Sequence, residues 1–353
     1  MANLSLEKDR FGQTADGVAV DGYTLRNSRG AMARIITFGA TVTELWMPDR
    51  QGSLADVVLG FDLLGQYEQR GPYFGAVVGR VAFRIAGSTF ELDGTQYHLT
   101  SHDGSPHLHG GSRGFSHVVW QAEPTSVGGA PALKLTYRSP DGDQGYPGAL
   151  DTAVVYSLTE ENELRIEWTA ITNRPTLVNL AHHGYFNLSG ADAGNVLSHQ
   201  LWLDADRWIP AEQPDLPSGE VAAVEGTPYD FRQPTAIGAR IGSGPGKVAG
   251  YDLCYMHNHP DGNLARVAAV FDAGSGRALD VLTTEPAVVL YTADYLDGSL
   301  VGKKGVAYPK HAGVCLETGR PPDAVHHPRF PSTVLRPGET YRHTCVYRFS
   351  VRD

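Results

Sequence analysis

Alternation of apolar and polar positions dominates this chain. In ELRIEWTAIT (163–172), Leu164, Ile166, Trp168 and Ala170 fall on one side of a two-residue repeat, and Arg165, Glu167 and Thr169 on the other. That period predicts a half-buried strand. DTAVVYSL (151–158) precedes it, and the polar TEEN between them predicts a hairpin. ALKLTYR (132–138), STFELDGTQYHL (88–99) and TYRHTCVYRFSV (340–351) repeat the alternation. Asp-Gly within ELDGTQY marks another hairpin, and the dipeptide recurs at 16–17, 103–104, 141–142, 261–262 and 297–298. A helix is expected only in DLLGQYEQR (62–70), for one or two turns, and Gly65 weakens it. Many short strands separated by turns predict an all-β fold, an antiparallel sandwich or barrel-like assembly. The Gly/Pro-rich stretch 209–250 reads as long surface loops, because strand patterns lie on both sides of it. No charge run, low-complexity tract or repeat divides the chain, so residues 1–353 are read as one domain.

Composition narrows the function classes. With 41% hydrophobic and 19% charged residues the chain is globular rather than disordered. A net charge of −10 without a Lys/Arg cluster argues against a nucleic-acid partner. No apolar run is long enough to span a bilayer, and the N-terminal MANLSLEKDRFGQ lacks the apolar core of a signal peptide, so a cytoplasmic location is expected. The three cysteines, Cys254, Cys315 and Cys345, are few, odd in number and not in CxxC spacing. They fit a reducing compartment and argue against a disulfide framework or a zinc site.

The candidate chemistry starts from a carboxylate in an apolar run. HAGVCLETG (311–319) places Glu317 behind Val314, Cys315 and Leu316. As a strand, Cys315 and Glu317 share one face, and an unpaired buried charge there is costly unless it is paired or reactive. Two histidine-bearing segments can supply partners: HLHGG (107–111) and NLAHHGYFNL (179–188). A carboxylate base with histidine acids is suited to moving protons on a neutral, oxygen-rich substrate. If 179–188 is one strand, His183 and Tyr185 share a face and His182 points the other way. If 107–109 is extended, His107 and His109 share a face. No third ligand lies at metal spacing, so no metal is assigned. Each histidine can equally be a hydrogen-bonded core residue, and Glu317 can equally cap a loop or pair with an arginine. GRVAFRI (79–85) would place Arg80 and Arg84 on one strand face. GYDLCYM (250–256) holds Asp252 in an apolar context. GSGPGK (242–247) lacks the GK[ST] ending of a phosphate loop and is set aside.

Ordered along the chain, these segments resemble the aldose 1-epimerase, or galactose mutarotase, family. The matching motifs are GRVAxRI, LHGGxxGFxxxxW (108–120), SxDGxxGYPG, NLxxHxYFNLSG, GYD, TTEPxVxxYTxxxLDG (283–298), HxGxCLET and PDAxxxPxFPSxxLRPGExY (322–341). The resemblance covers about residues 20 to 350 and implies a large antiparallel β-sandwich. It further implies an isomerase acting on a monosaccharide without a cofactor, as a monomer or homodimer. Carried over by position, Glu317 is the general base, His183 the general acid and His109 a second histidine near the ring oxygen. Arg84 and Asp252 are sugar-binding residues, and Phe83, Val289 and Tyr185 complete the substrate site. Several positions depart from the family pattern. Phe83 replaces an asparagine, Val289 and Gly319 replace glutamines, Ala181 and His182 replace threonine and asparagine, and Asp143 replaces glutamate. Glu317 would then be ionised and His183 charged at neutral pH, each holding the other's charge. Two rivals remain open. One is the same acid–base pair acting on a less hydroxylated cyclic hemiacetal or ketone; the other is a catalytically silent sugar-binding module.

Overall fold

The computed structural model describes residues 5–352, apart from residue 70 and segments 102–105, 214–215 and 244–248. The alternating segments become strands. Leu150–Leu158 and Glu163–Thr172 pair antiparallel from Leu150↔Thr172 to Leu158↔Leu164, the predicted hairpin. Leu164, Ile166 and Trp168 are buried, while Arg165 and Glu167 pair at 3.0 Å on the other face. Burying each such large apolar side chain contributes about 1.5–3 kcal/mol, so the alternation selects which face turns inward. Asp93 and Gly94 turn the chain between Thr89–Leu92 and Thr95–His98 with φ of 52° and 76°. Those are the left-handed values a tight hairpin needs. The expected helix forms over Leu64–Glu68; residue 70, at the end of that segment, lies outside the described residues, as does the Asp-Gly at 103–104.

Three larger sheets organise the described residues. The first has nine strands in the spatial order Gln121–Val127, Ala130–Ser139, Leu150–Leu158, Glu163–Thr172, Tyr341–Val351, Arg277–Thr283, Ala265–Phe271, Gln200–Leu203 and Thr235–Ala236. The second has six, in the order Tyr185–Phe186, Val314–Gly319, Ala287–Tyr291, Asp252–Met256, Arg207–Ile209 and Ala222–Ala223. The third is a five-stranded N-terminal meander from Ser5–Gln13 to Leu54–Asp56. One core cluster joins all three, with Leu25 and Ile35 from the meander, Ile166 and Tyr347 from the nine-stranded sheet, and Val288 and Leu316 from the six-stranded sheet. This is the all-β antiparallel sandwich that the alternation predicts.

Two expectations about the chain's course need correction. The stretch 209–250 is not loop throughout: it contributes the short strands Ala222–Ala223 and Thr235–Ala236, and sends Val224, Phe231 and Ile237 into the core. Residues 244–247 of GSGPGK lie outside the described residues. NLAHHGYFNL is not one strand. Ala181–His182 pairs with Val77–Val78, and Tyr185–Phe186 joins the six-stranded sheet beside Val314–Gly319. Across the break His183 and Tyr185 still face one way and His182 the other. Among the described residues, no helix is long and apolar enough to cross a membrane.

Candidate active site

The strand Val314–Gly319 is buried along its whole length and lies between Tyr185–Phe186 and Ala287–Tyr291. Its alternation sorts the side chains: Val314 and Leu316 enter the main core, while Cys315 and Glu317 face the other way. Glu317 thereby lines a cavity of about 340 Å³ against the six-stranded sheet. That volume falls within the roughly 300–1,000 Å³ usual for small-molecule sites. A larger groove of about 740 Å³ crosses the nine-stranded sheet, but its charged lining is Lys134, Arg138, Asp151 and Arg342, without a buried acid–base pair. The smaller cavity is the better candidate for chemistry.

Glu317 Oε1 lies 3.6 Å from His183 Nε2, with both side chains almost wholly buried. Glu317 Oε2 has no hydrogen-bond partner within the protein, so a substrate hydroxyl would satisfy it. The His183 ring stacks on Tyr185 at 4.9 Å and on Tyr73 at 5.8 Å. Its Nδ1 is 3.7 Å from the Cys315 sulfur. His109 lies edge-on to His183, with ring centroids 5.1 Å apart. Arg84 and Asp252 pair at 3.4 Å and stay partly exposed.

Burial dominates the electrostatics. It pushes the Glu317 carboxyl well above the usual carboxylate range, the Asp252 charge adding to this and Arg84 opposing it. Burial also lowers His183 to about 3, with His182 contributing. The expected ion pair is therefore corrected: desolvation favours a neutral carboxylic acid beside a neutral imidazole. The proton count is the same in both arrangements; only the position of one proton differs.

All eight residues assigned from sequence (Glu317, His183, His109, Arg84, Asp252, Phe83, Val289 and Tyr185) line this cavity. Three neighbours do not, and each misses for a backbone reason. Arg80 does not share a face with Arg84, because Phe83 between them has φ of 69° and breaks the strand. Arg80 is instead buried, donating to the carbonyls of Pro140, Pro147 and Gly148 and to Ser139 Oγ. The same bend turns both Phe83 and Arg84 into the cavity. His107 does not share a face with His109, whose φ is 51°. His107 donates from Nδ1 to Thr100 O and accepts the Tyr146 hydroxyl at Nε2, each at 2.6 Å. His182 turns away toward Tyr347, with ring centroids 5.5 Å apart. The sequence reading gives no role to Tyr73, Tyr291 or Tyr295, which also line the cavity. Tyr73, like Phe83 and His109, holds a positive φ, here 62°. Such strained residues cluster at functional sites, at a cost of about 1–3 kcal/mol each.

Among the described residues, His109, His183 and Glu317 form a possible metal-ligand set, with donor atoms within 4.8 Å of one another. The hydrogen bonding of His109 speaks against ligation. The Phe83 backbone N–H donates to His109 Nδ1 at 3.2 Å. A neutral His109 then carries its proton on Nε2, which is a donor and has no lone pair for a metal. The trio is arranged for proton transfer.

The departures from the family pattern are structurally coupled. A Cβ at Gly319 would lie 3.2 Å from Phe83 Cε2 and 3.1 Å from Asn179 Oδ1, so glycine there leaves room for the phenyl ring. Asp143 accepts from Ser139 Oγ at 2.5 Å and so belongs to the Arg80 cluster, away from the cavity.

Comparison with known proteins places this geometry in context. The family model described as aldose 1-epimerase matches residues 21–348. A galactose mutarotase from Bos taurus is 45% identical over 349 residues, covering 99% of each chain. An aldose 1-epimerase from Escherichia coli is 32% identical over 338 residues, 95% of this chain and 96% of that one. The crystal structure of an aldose epimerase homologue from C. elegans superposes with a TM-score of 0.84 at 30% identity, covering 93% of this chain and 98% of the other.

Proposed function

The chain belongs to the aldose 1-epimerase family, and from that premise we propose that it interconverts the α and β anomers of a monosaccharide through the Glu317–His183 pair. The observation that carries this reading is a buried carboxylate with an unpartnered oxygen, 3.6 Å from a buried imidazole. Full-length similarity to mutarotases disfavours a silent module and a substrate outside the aldoses.

Anomer exchange requires the C1–O5 bond to break and re-form on the other face. Glu317 takes the proton of the C1 hydroxyl, the electron pair of that O–H forms the carbonyl, and the C1–O5 pair passes to O5. His183 protonates O5. Rotation about C1–C2 by roughly half a turn presents the other carbonyl face, and the same two transfers run backward. His109 donates from Nε2 to O5 and stabilises charge developing there. No electrons are exchanged with an acceptor, so no cofactor is required.

The neutral pair that burial favours is the pair as it stands after ring opening. Attack on a cyclic sugar needs the proton moved from Glu317 to His183. Two features support that shift: Arg84 favours the carboxylate, and the ring faces of Tyr73 and Tyr185 favour the imidazolium. The free, buried state of all three cysteines supports a reducing, cytoplasmic setting, and the core cluster shared by the three sheets supports residues 1–353 acting as one unit.

Polarimetry of freshly dissolved α-D-glucose and α-D-galactose tests this reading. Glu317→Gln and His183→Asn are each expected to lower the catalysed rate by about 10²–10⁴-fold with circular dichroism unchanged. Near-parental turnover by a folded Glu317→Gln protein rules out the assignment.

A further inference from the structure

Beside the cavity, neighbouring strands bring side chains together in a fixed order, with His183, Tyr185, Glu317 and Val289 lining it and Cys254 packed behind Val289. His183 and Tyr185 flank the strand that carries Glu317. Val289 on the next strand pairs in register with Glu317, and Cys254 on the strand after that pairs with Val289. On the mutarotase reading above, O5 lies toward His183 and His109, and O1 on Glu317. The remaining heavy-atom neighbour of C1 is C2, which in this pose falls on the side away from His183, toward Val289.

That side of the cavity is apolar. Val289, Phe83, Cys254 and Ala287 belong to one buried cluster. Behind the phenyl ring, Asn179 is already satisfied: its Oδ1 accepts from Arg320 N at 2.9 Å and its Nδ2 donates to Arg320 O at 3.1 Å. The Cys254 thiol is buried and is only a weak donor. Asp252, which holds Arg84, pairs in register with Tyr291, two residues along the strand and so about 7 Å from the Val289 level. The Asp252 carboxylate is thus offset from the Val289 level.

We propose that Phe83 and Val289 determine specificity, and that they favour aldoses lacking the hydroxyl at C2, the 2-deoxyaldopyranoses. A hydroxyl set against this wall gives up its water and gains no partner, whereas a methylene buries apolar surface. An apolar wall discriminates against an added hydroxyl by at most about 100-fold, which bounds the effect.

The test uses the full-length protein and sugars differing by one hydroxyl: D-glucose against 2-deoxy-D-glucose, D-galactose against 2-deoxy-D-galactose, and D-galactose against 6-deoxy-D-galactose. Anomer exchange is followed by two-dimensional exchange NMR, with the spontaneous rate of each sugar subtracted. The expected result is a kcat/KM roughly 10- to 100-fold higher for each 2-deoxy sugar, with no such gain for the 6-deoxy sugar. Val289→Gln should raise kcat/KM for glucose and bring the glucose ratio toward one. Equal or faster catalysis on the parent hexoses, or an equal gain for the 6-deoxy sugar, overturns the preference and leaves the mutarotase reading standing. Absence of catalysis on every sugar, with the protein shown folded, overturns both.

Discussion

Glu317 is kept where a carboxylate is costly, and that cost is measurable. Its folded pKa lies above the ordinary value of 4.5 because burial penalises the charge. The sign follows: relative to an uncharged side chain, the stability it contributes is present below about 4.5 and is lost as pH rises toward the folded value. Glu317→Gln keeps the shape and removes the ionisation. The variant should therefore lose activity and gain about 1–3 kcal/mol of stability at neutral pH. Scanning calorimetry should show a higher Tm than the parent, with the gap wider at about pH 8 than at about pH 5. A lower Tm at pH 8 would mean that the carboxylate is held by partners stronger than those described. The Tyr73 and Tyr185 rings make the complementary contribution on the other side of the proton transfer, since they stabilise only the charged form of His183.

The segment HLHGG shows how a turn can aim a side chain into the cavity. Gly110 has φ of 90°, and a Cβ there would stand 1.6 Å from the Gly79 carbonyl oxygen. Gly110→Ala must push apart the two segments that carry His109 and Arg84. It should cost more than about 2 kcal/mol in urea unfolding and depress kcat in whatever protein still folds; an active, fully stable Gly110→Ala protein would contradict this. Such turns also mark the limit of what the sequence discloses. Period-two strands such as Glu163–Thr172 are legible because burial of Leu164, Ile166 and Trp168 fixes their faces. Gly110 and Gly111 signal a close approach, and the structure has one. Phe83 and His109 give no such warning: neither residue type advertises a left-handed backbone, so strand logic puts Arg80 beside Arg84 and His107 beside His109. The motif resemblance picks the member of each pair that lines the cavity, because it carries positional information that periodicity lacks. Tyr73 escaped both readings, sitting in a loop after Pro72 where no alternation assigns a face.

Buried imidazoles set the acid tolerance of the whole protein. His182, His183 and His343 are lowered to about 3, and His199 to about 4, all chiefly by burial. With folded values below the unfolded 6.5, the unfolded chain takes up protons first. Their contribution is thus fully present above 6.5 and drains away as pH falls toward 3. Each contributes about 1.4 kcal/mol per pH unit within that window. Urea unfolding at steps from about pH 7 to pH 4 should show a steep, continuous loss of stability, and a flat profile would exclude neutral buried histidines. The strand order of the nine-stranded sheet has a consequence for synthesis. Its fifth position is filled by Tyr341–Val351, between Glu163–Thr172 and Arg277–Thr283. On the ribosome, where residues emerge at roughly 5–20 per second, the two halves of this sheet wait with facing unpaired edges until Tyr341–Val351, the latest of its strands in sequence, has emerged. A nascent chain of this design needs a chaperone, or speed, until that strand closes the gap.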